Sequence, residues 1–241
     1  MGRFFEARKH TIFARSKRIS KIFTRCSREI VMAVKAGGEN PDSNSELRRA
    51  IQNARSANMP KDKIAAAIQR AMNVGGEDYA EVLYEGYAPH GIALMVVTAT
   101  DNTTRTVANV RMHFNKCDGS LGNSGSVGFL FERMGVFQVK PEDIEDREEL
   151  ELELIDHGLE DMLDSEDEDG NAVIELRCAF SGFGDMQSAL EERTLATVSA
   201  GSAFIPHATT ELSDDQLADV IKLIDRLDGD DDVQRVFHNM A

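Results

Sequence analysis

Eight cations crowd the stretch Ala7 to Ile30: Arg8, Lys9, Arg15, Lys17, Arg18, Lys21, Arg25 and Arg28, against the single acid Glu29. Lysine and arginine at this density neutralise phosphates and release their condensed counterions. About six such contacts suffice for micromolar, sequence-blind affinity for a polyanion. Arg48, Arg49, Arg55, Lys61, Lys63 and Arg70 extend the same sign further along the chain. The plain alternative is a solvated helix face, but such a face ordinarily interleaves both signs, and between Ala7 and Arg28 acids are absent. All of these cations are therefore candidate nucleic-acid-binding residues.

The charge is split along the chain. Residues 1 to 76 hold 16 Lys and Arg against 6 Asp and Glu, a net of +10, while the remaining residues hold 11 against 36, a net of -25, within a chain total of -15. This pattern suits a basic module for a polyanion attached to an acidic body that discourages non-specific sticking or meets a protein partner.

Other chemistries fit the residues less well. Asp101, His90 and Arg105 are the best candidates for catalysis, but no nucleophile or metal constellation accompanies them, and an enzyme acting on nucleic acid or nucleotides ranks low. Asp101 and Asn102 stand where a strand gives way to a helix and read first as capping residues. The run DGSLGNSGSVG offers backbone N–H groups to an anion, yet it lacks the Gly-Lys-Ser/Thr ending of a phosphate loop and precedes a strand, so it reads as a turn. In the acidic run DSEDEDGN, alignment as a calcium loop puts Leu176 where a bidentate glutamate is required. That run reads as a hairpin turn through Asp169 and Gly170. Six histidines show no ligand spacing, and Cys26, Cys117 and Cys178 are odd in number and far apart, so neither metal nor cofactor is expected.

Positioning the cations falls to helices. Ile19, Ile22, Phe23, Cys26, Ile30 and Val34 recur at steps of three and four, predicting a helix that stops at Gly37-Gly38 and leaves Arg18, Lys21, Arg25 and Arg28 in water. Ser43 and Glu46 form a capping-box pattern for a second helix through Leu47, Ile51 and Ala54. Asn58-Met59-Pro60 breaks it, and Ile64, Ile68 and Met72 carry a third helix to Gly75-Gly76. The short turn admits a helix-turn-helix, but the third helix has few base-reading side chains, so phosphate-dominated binding is expected.

From Tyr79 the periodicity changes. EVLYEGYAP and GIALMVVTATD read as strands, TTRTVANVRMHFNKC as a helix and SVGFLFERM as a strand. GVFQVK, a helix around Leu150, LEDML, NAVIELRCAF, FGDMQSALEER and LATVSAG then give β-α-β-β-α-β, the ferredoxin-like order. AFIPHA, a helix capped by Ser213 and Gln216, and the strand DVQRVFHN follow. No run approaches the roughly 20 apolar residues of a membrane span, and the N-terminus lacks a secretory h-region, so a cytosolic location is expected.

KIFTRCSREIVMAVKAGG, NMPKDKIAAAIQRA, YEGYAPHGIALMV, TDNTTRTVANVRMHF, GSLGNSGSVGFLF and LDGDDDVQRVFHN occur in that order. Together they resemble the YebC/PmpR family of probable transcriptional regulators over nearly the whole chain. The resemblance implies a helical N-terminal domain followed by two α/β domains. It also implies nucleic-acid engagement: DNA for bacterial members, and ribosomal or transfer RNA at the ribosome for relatives that act as translational activators. Most members open with a His-Ser-Lys-Trp motif. Here MGRFFEARKHTIFARSKR stands instead and there is no tryptophan, so any contact of that aromatic is not carried over.

The expectation is thus an α+β protein of three domains: a basic helical domain (1–76), a middle α/β domain (77–134 with 202–241), and a ferredoxin-like domain (135–201) inserted into the middle one. Its expected role is transcriptional regulation by non-catalytic DNA binding, with a ribosome-associated translation factor as the alternative. The sequence leaves the oligomeric state open.

Overall fold

The computed structural model describes residues 3–73, 78–167 and 170–241, with side chains from residue 18 onward. The chain divides into two compact units, 1–79 and 80–241. Among the described residues there are seven α-helices and two antiparallel sheets, a mixed α+β architecture.

The first unit contains α1 (Arg3–Gly37), α2 (Ser45–Ser56) and α3 (Lys61–Met72). Cys26, Ile30 and Val34 from α1, Leu47, Ile51 and Ala54 from α2, and Ile64, Ala67 and Ala71 from α3 form its core. The periodic stripe on α1 is therefore a core face, and the hydrophobic effect acting on it holds the three helices together. Met72 is exposed, and Ala71 takes the core position expected of it. The expected stop at Gly75-Gly76 lies outside the described residues.

The cap of α2 differs from the sequence expectation. Asn44, not Ser43, caps the helix: its Oδ1 accepts from the Leu47 N–H at 3.0 Å, and its Nδ2 donates to the Ala33 and Gly38 carbonyls at 2.8 Å each. An amide carries acceptor and donors together, so Asn44 starts α2 and ties down the end of α1 at once, which a serine hydroxyl cannot do. The Ser43 hydroxyl instead donates to the Asn40 carbonyl.

In the second unit the first sheet has the order β3-β1-β2-β8, formed by β1 (Ala80–Tyr87), β2 (Ala93–Thr100), β3 (Ser120–Leu121) and β8 (Val233–His238). Helices α4 (Thr103–Lys116) and α7 (Asp214–Gly229) pack Val110, Phe114, Val220, Leu223 and Leu227 against Leu94 and Val96. Ala93 and Met95 on the other face of β2 join Val127 and Phe131, so β2 is covered on both sides and reads ALMVV without alternation. The Ser213–Gln216 capping box opens α7 with both of its reciprocal bonds.

The second sheet has the order β5-β6-β4-β7, from β4 (Phe131–Val139), β5 (Leu159–Glu166), β6 (Ala172–Ala179) and β7 (Thr197–Pro206), with α5 (Arg147–Ile155) and α6 (Phe183–Glu192) as its helices. Phe137, Leu150, Leu154, Leu176, Met186 and Leu190 fill its core. The β-α-β-β-α-β sequence of elements is the expected one, but two strands are longer than expected. GVFQVK continues the end of SVGFLFERM as β4, and LATVSAG runs on into AFIPHA as β7, the two pairing from Phe131↔Pro206 to Val139↔Thr197. Gly135 and Gly201, the expected ends of the inserted domain, lie inside these strands. A Cβ at Gly135 would stand 2.7 Å from Cys178 Sγ, and one at Gly201 would stand 2.9 Å from the Arg235 guanidinium. They are points of close approach, a second use of glycine in a strand. The C-terminal strand β8 pairs with β2 and so joins the first sheet.

Candidate nucleic-acid interface

The basic residues divide by element. Arg8, Lys9, Arg15 and Lys17 belong to the helical backbone of α1, but their side chains lie outside the described residues. Arg18 is exposed, whereas Lys21, Arg25 and Arg28 are half-buried, a correction to the expectation that all four stand in water. Because α2 and α3 both pack on α1, its covered face is wide, and long cationic stems next to it lie along their neighbours. The Arg28 guanidinium sits 4.9 Å from the Tyr79 ring centre in a cation–π contact. On α2, Arg48 and Arg49 are half-buried, and Arg48 donates to the Pro41 carbonyl at 3.2 Å, closing the loop between α1 and α2.

Of the candidate cations with described side chains, those exposed to solvent are Arg18 on α1, Arg55 on the last turn of α2, and Lys61, Lys63 and Arg70 on α3. Pro60 starts α3 with an extended backbone and no N–H to satisfy, and Asn58, at φ 58, turns the chain from α2 into it. Ile64, Ala67 and Ala71 face inward, which turns Lys63 and Arg70, seven residues apart, to the solvent side about two turns from one another. Ala65, Ala66 and Gln69 are exposed between them. This surface has small residues in the middle and cations at both ends, so a nucleic-acid backbone can approach closely, while few groups are present to read base edges. Lys63 Nζ also lies 4.9 Å from the centre of the Phe23 ring. Lys35, outside the predicted set, forms a 3.0 Å ion pair with Asp78.

The residues weighed for catalysis do not assemble. Asp101 pairs with Arg105 at 2.8 Å, but the stronger partner of Arg105 is Asp232, 2.9 Å away and buried. Hydrogen bonds donated to Asp232 first, and to Asp101, raise the Arg105 pKa and fix the guanidinium as a cation. The Thr106 hydroxyl lies 2.7 Å from Asp232 Oδ2, and the Thr100 hydroxyl is also within reach. This network joins β2, α4 and the segment before β8. Sequence reasoning missed Asp232 because nothing in the run LDGDDD distinguishes the one acid that turns inward. His90 is elsewhere, with Nε2 3.0 Å from Asp219 on α7. Asn102 caps α4 by accepting from the Arg105 N–H, as the capping reading has it.

The glycine-rich run does bind an anion, but an internal one. Glu85 is buried, and its carboxylate accepts from the backbone N–H groups of Gly125, Val127 and Gly128 at 2.7, 2.8 and 2.8 Å. Burial alone would raise the Glu85 pKa, but the three N–H bonds outweigh it and hold the carboxyl below its usual value. The nest is thus filled by the chain's own side chain. In the acidic hairpin, Gly170 has φ 79 and the Asp167 N–H donates to the Asn171 carbonyl, while Asp169 lies outside the described residues. Among the described residues no group of three or more His, Cys, Asp or Glu is placed to hold a metal, and no helix is long and apolar enough to cross a membrane.

Two family models match the chain. Residues 3–74 match the TACO1/YebC protein N-terminal domain, and residues 79–240 match the TACO1/YebC second and third domain. The chain belongs to the TACO1/YebC family. A probable transcriptional regulatory protein of Myxococcus xanthus is 58% identical over 241 residues, covering 100% of both chains. A protein of the same name from Flavobacterium johnsoniae is 51% identical over 240 residues, covering 100% of this chain and 99% of its own. The crystal structure of a conserved hypothetical protein from Aquifex aeolicus superposes with a TM-score of 0.81 at 37% identity, covering 92% of this chain and 90% of that one. The boundary between the two TACO1/YebC matches falls between residues 74 and 79, close to the division of the fold after Tyr79.

Proposed function

We propose that this TACO1/YebC protein is a cytoplasmic, non-catalytic regulator of transcription that holds DNA through its basic helical unit. The observation that carries this reading is the solvent-facing pair Lys63 and Arg70 on one side of α3, together with exposed Lys61, Arg55 and Arg18, in the part of the chain that holds the positive charge. Relatives of full length named probable transcriptional regulatory protein support it. Contacts of this kind position a protein on phosphates without reading sequence. In the same proposal, the first sheet with its helices forms a middle domain and the second sheet an inserted ferredoxin-like domain, which begins and ends with the strands β4 and β7 and not at Gly135 and Gly201, the pair serving as an acidic body.

The deciding experiment is salt-dependent binding of the full chain to two unrelated DNA duplexes and one structured RNA. The proposal expects steep, similar salt slopes on both duplexes. Selective retention of the RNA at physiological salt, with the duplexes released, would instead make the protein a translation factor acting on ribosomal or transfer RNA.

A further inference from the structure

Helix α5 is apolar on two sides. Leu150 and Leu154 enter the core, while Leu152 and Ile155 are 70% and 53% exposed. At about 100° per residue, Leu152 points nearly opposite the core face, and Ile155 follows it one turn on. A single exposed leucine is ordinary, but two large aliphatic side chains on adjacent turns form a small ridge. Exposed Glu148, Glu151 and Asp156 surround it.

Beside the first turn of α5 lies a cleft of about 550 Å³ lined by Asp143, Glu145, Asp146, Glu149 and Arg193 among others. Arg193 is the one cation of that lining and is already engaged by Glu153 and, at 3.8 Å, by Glu149. Asp146 caps α5 through the Glu149 N–H. Asp143 and Glu145 form no ion pair with a cation among the described residues. The cleft therefore has excess negative charge, and Leu152 stands on the same helix as its neighbour Glu149.

We infer that this face of α5 binds a cationic segment of a partner protein, with a Lys or Arg side chain entering the cleft and apolar side chains resting on Leu152 and Ile155. Charge complementarity selects the occupant: the cleft and the rim are acidic and would repel a nucleic acid, while the two aliphatic side chains give an apolar anchor that a simple polycation does not use. The site belongs to residues 80–241 and uses none of the basic helices, so it stands whether or not those helices hold DNA.

The test uses the full chain and two labelled probes, an amphipathic Lys/Leu peptide and an oligolysine of equal charge. Leu152→Ser with Ile155→Ser is expected to weaken the Lys/Leu peptide roughly tenfold and to leave oligolysine unchanged, since only the former buries apolar surface on the ridge. Asp143→Asn with Glu145→Gln should weaken both peptides and flatten their salt dependence. Both pairs are on the surface, so an unchanged Tm should accompany each. The inference is overturned if wild type binds both probes equally, if the serine pair leaves Lys/Leu affinity unchanged, or if the serine pair lowers duplex DNA binding, which would assign the face to nucleic acid.

Discussion

Replacing Lys63 and Arg70 with alanine removes two solvent-facing cations from α3 while leaving Ile64, Ala67 and Ala71 in the core. If both side chains contact phosphates, each contributes about 0.9 to the slope of log affinity against log salt on duplex DNA, so the double variant should flatten that slope by about 1.8. Between 50 and 200 mM salt, wild type would then lose roughly tenfold more affinity than the variant. Lys63 also leaves its place over the Phe23 ring, at a stability cost of about 0.5–1 kcal/mol, so thermal unfolding must be recorded alongside. The assay is fluorescence anisotropy on two unrelated duplexes across a salt series. Equal losses on both duplexes are expected, because these residues position and do not specify. An unchanged slope with an intact fold would place the phosphate contacts elsewhere, and a loss confined to one duplex would show that α3 reads bases.

Four further outcomes follow from the same geometry. Asn44→Ala should destabilise the helical unit by about 2–3 kcal/mol, about 1 for the cap and the rest for two carbonyls losing their donor, as read by denaturant unfolding. Asp232→Ala should cost about 1–3 kcal/mol in the second unit, chiefly because it leaves the buried Thr106 and Thr100 hydroxyls unmatched, while the half-exposed Arg105 keeps Asp101. For Glu85 the folded carboxyl has a lowered pKa. Its stabilisation is therefore present above the ordinary glutamate value of 4.5 and is lost as pH falls through the lower folded value, so the Tm advantage of wild type over Glu85→Gln should shrink below about pH 4.5. Gly135→Ala should cost about 1–3 kcal/mol, since its Cβ would collide with Cys178 and Phe183 across a packed core.

Local signals were the most legible. Helix periods, the turn at Asn58-Pro60 and the Ser213–Gln216 box depend on neighbours within a few residues and are found where the sequence places them. Features set by distant partners were not legible. Gly135 and Gly201 look like domain boundaries until Cys178, Phe183 and Arg235 are seen against them. Glu85 looks like a surface acid until the glycine-rich loop closes over it, 40 to 43 residues later. The same reason explains the basic helix. A spacing argument puts Lys21, Arg25 and Arg28 off the apolar stripe, but it does not show that two further helices flank α1 and half-bury them. Charge, a sum over the chain, survives such errors, so the basic unit could be located before the solvent-facing cations could be chosen.

Whether the basic helical unit holds DNA is decided by ultraviolet crosslinking in cells, with sequencing of both the DNA and the RNA recovered and mapping of the crosslinked peptides. DNA should be the dominant partner, with adducts on peptides from α1 to α3, including Lys61 to Arg70. Adducts concentrated in residues 80–241, or ribosomal RNA as the dominant partner, would contradict it.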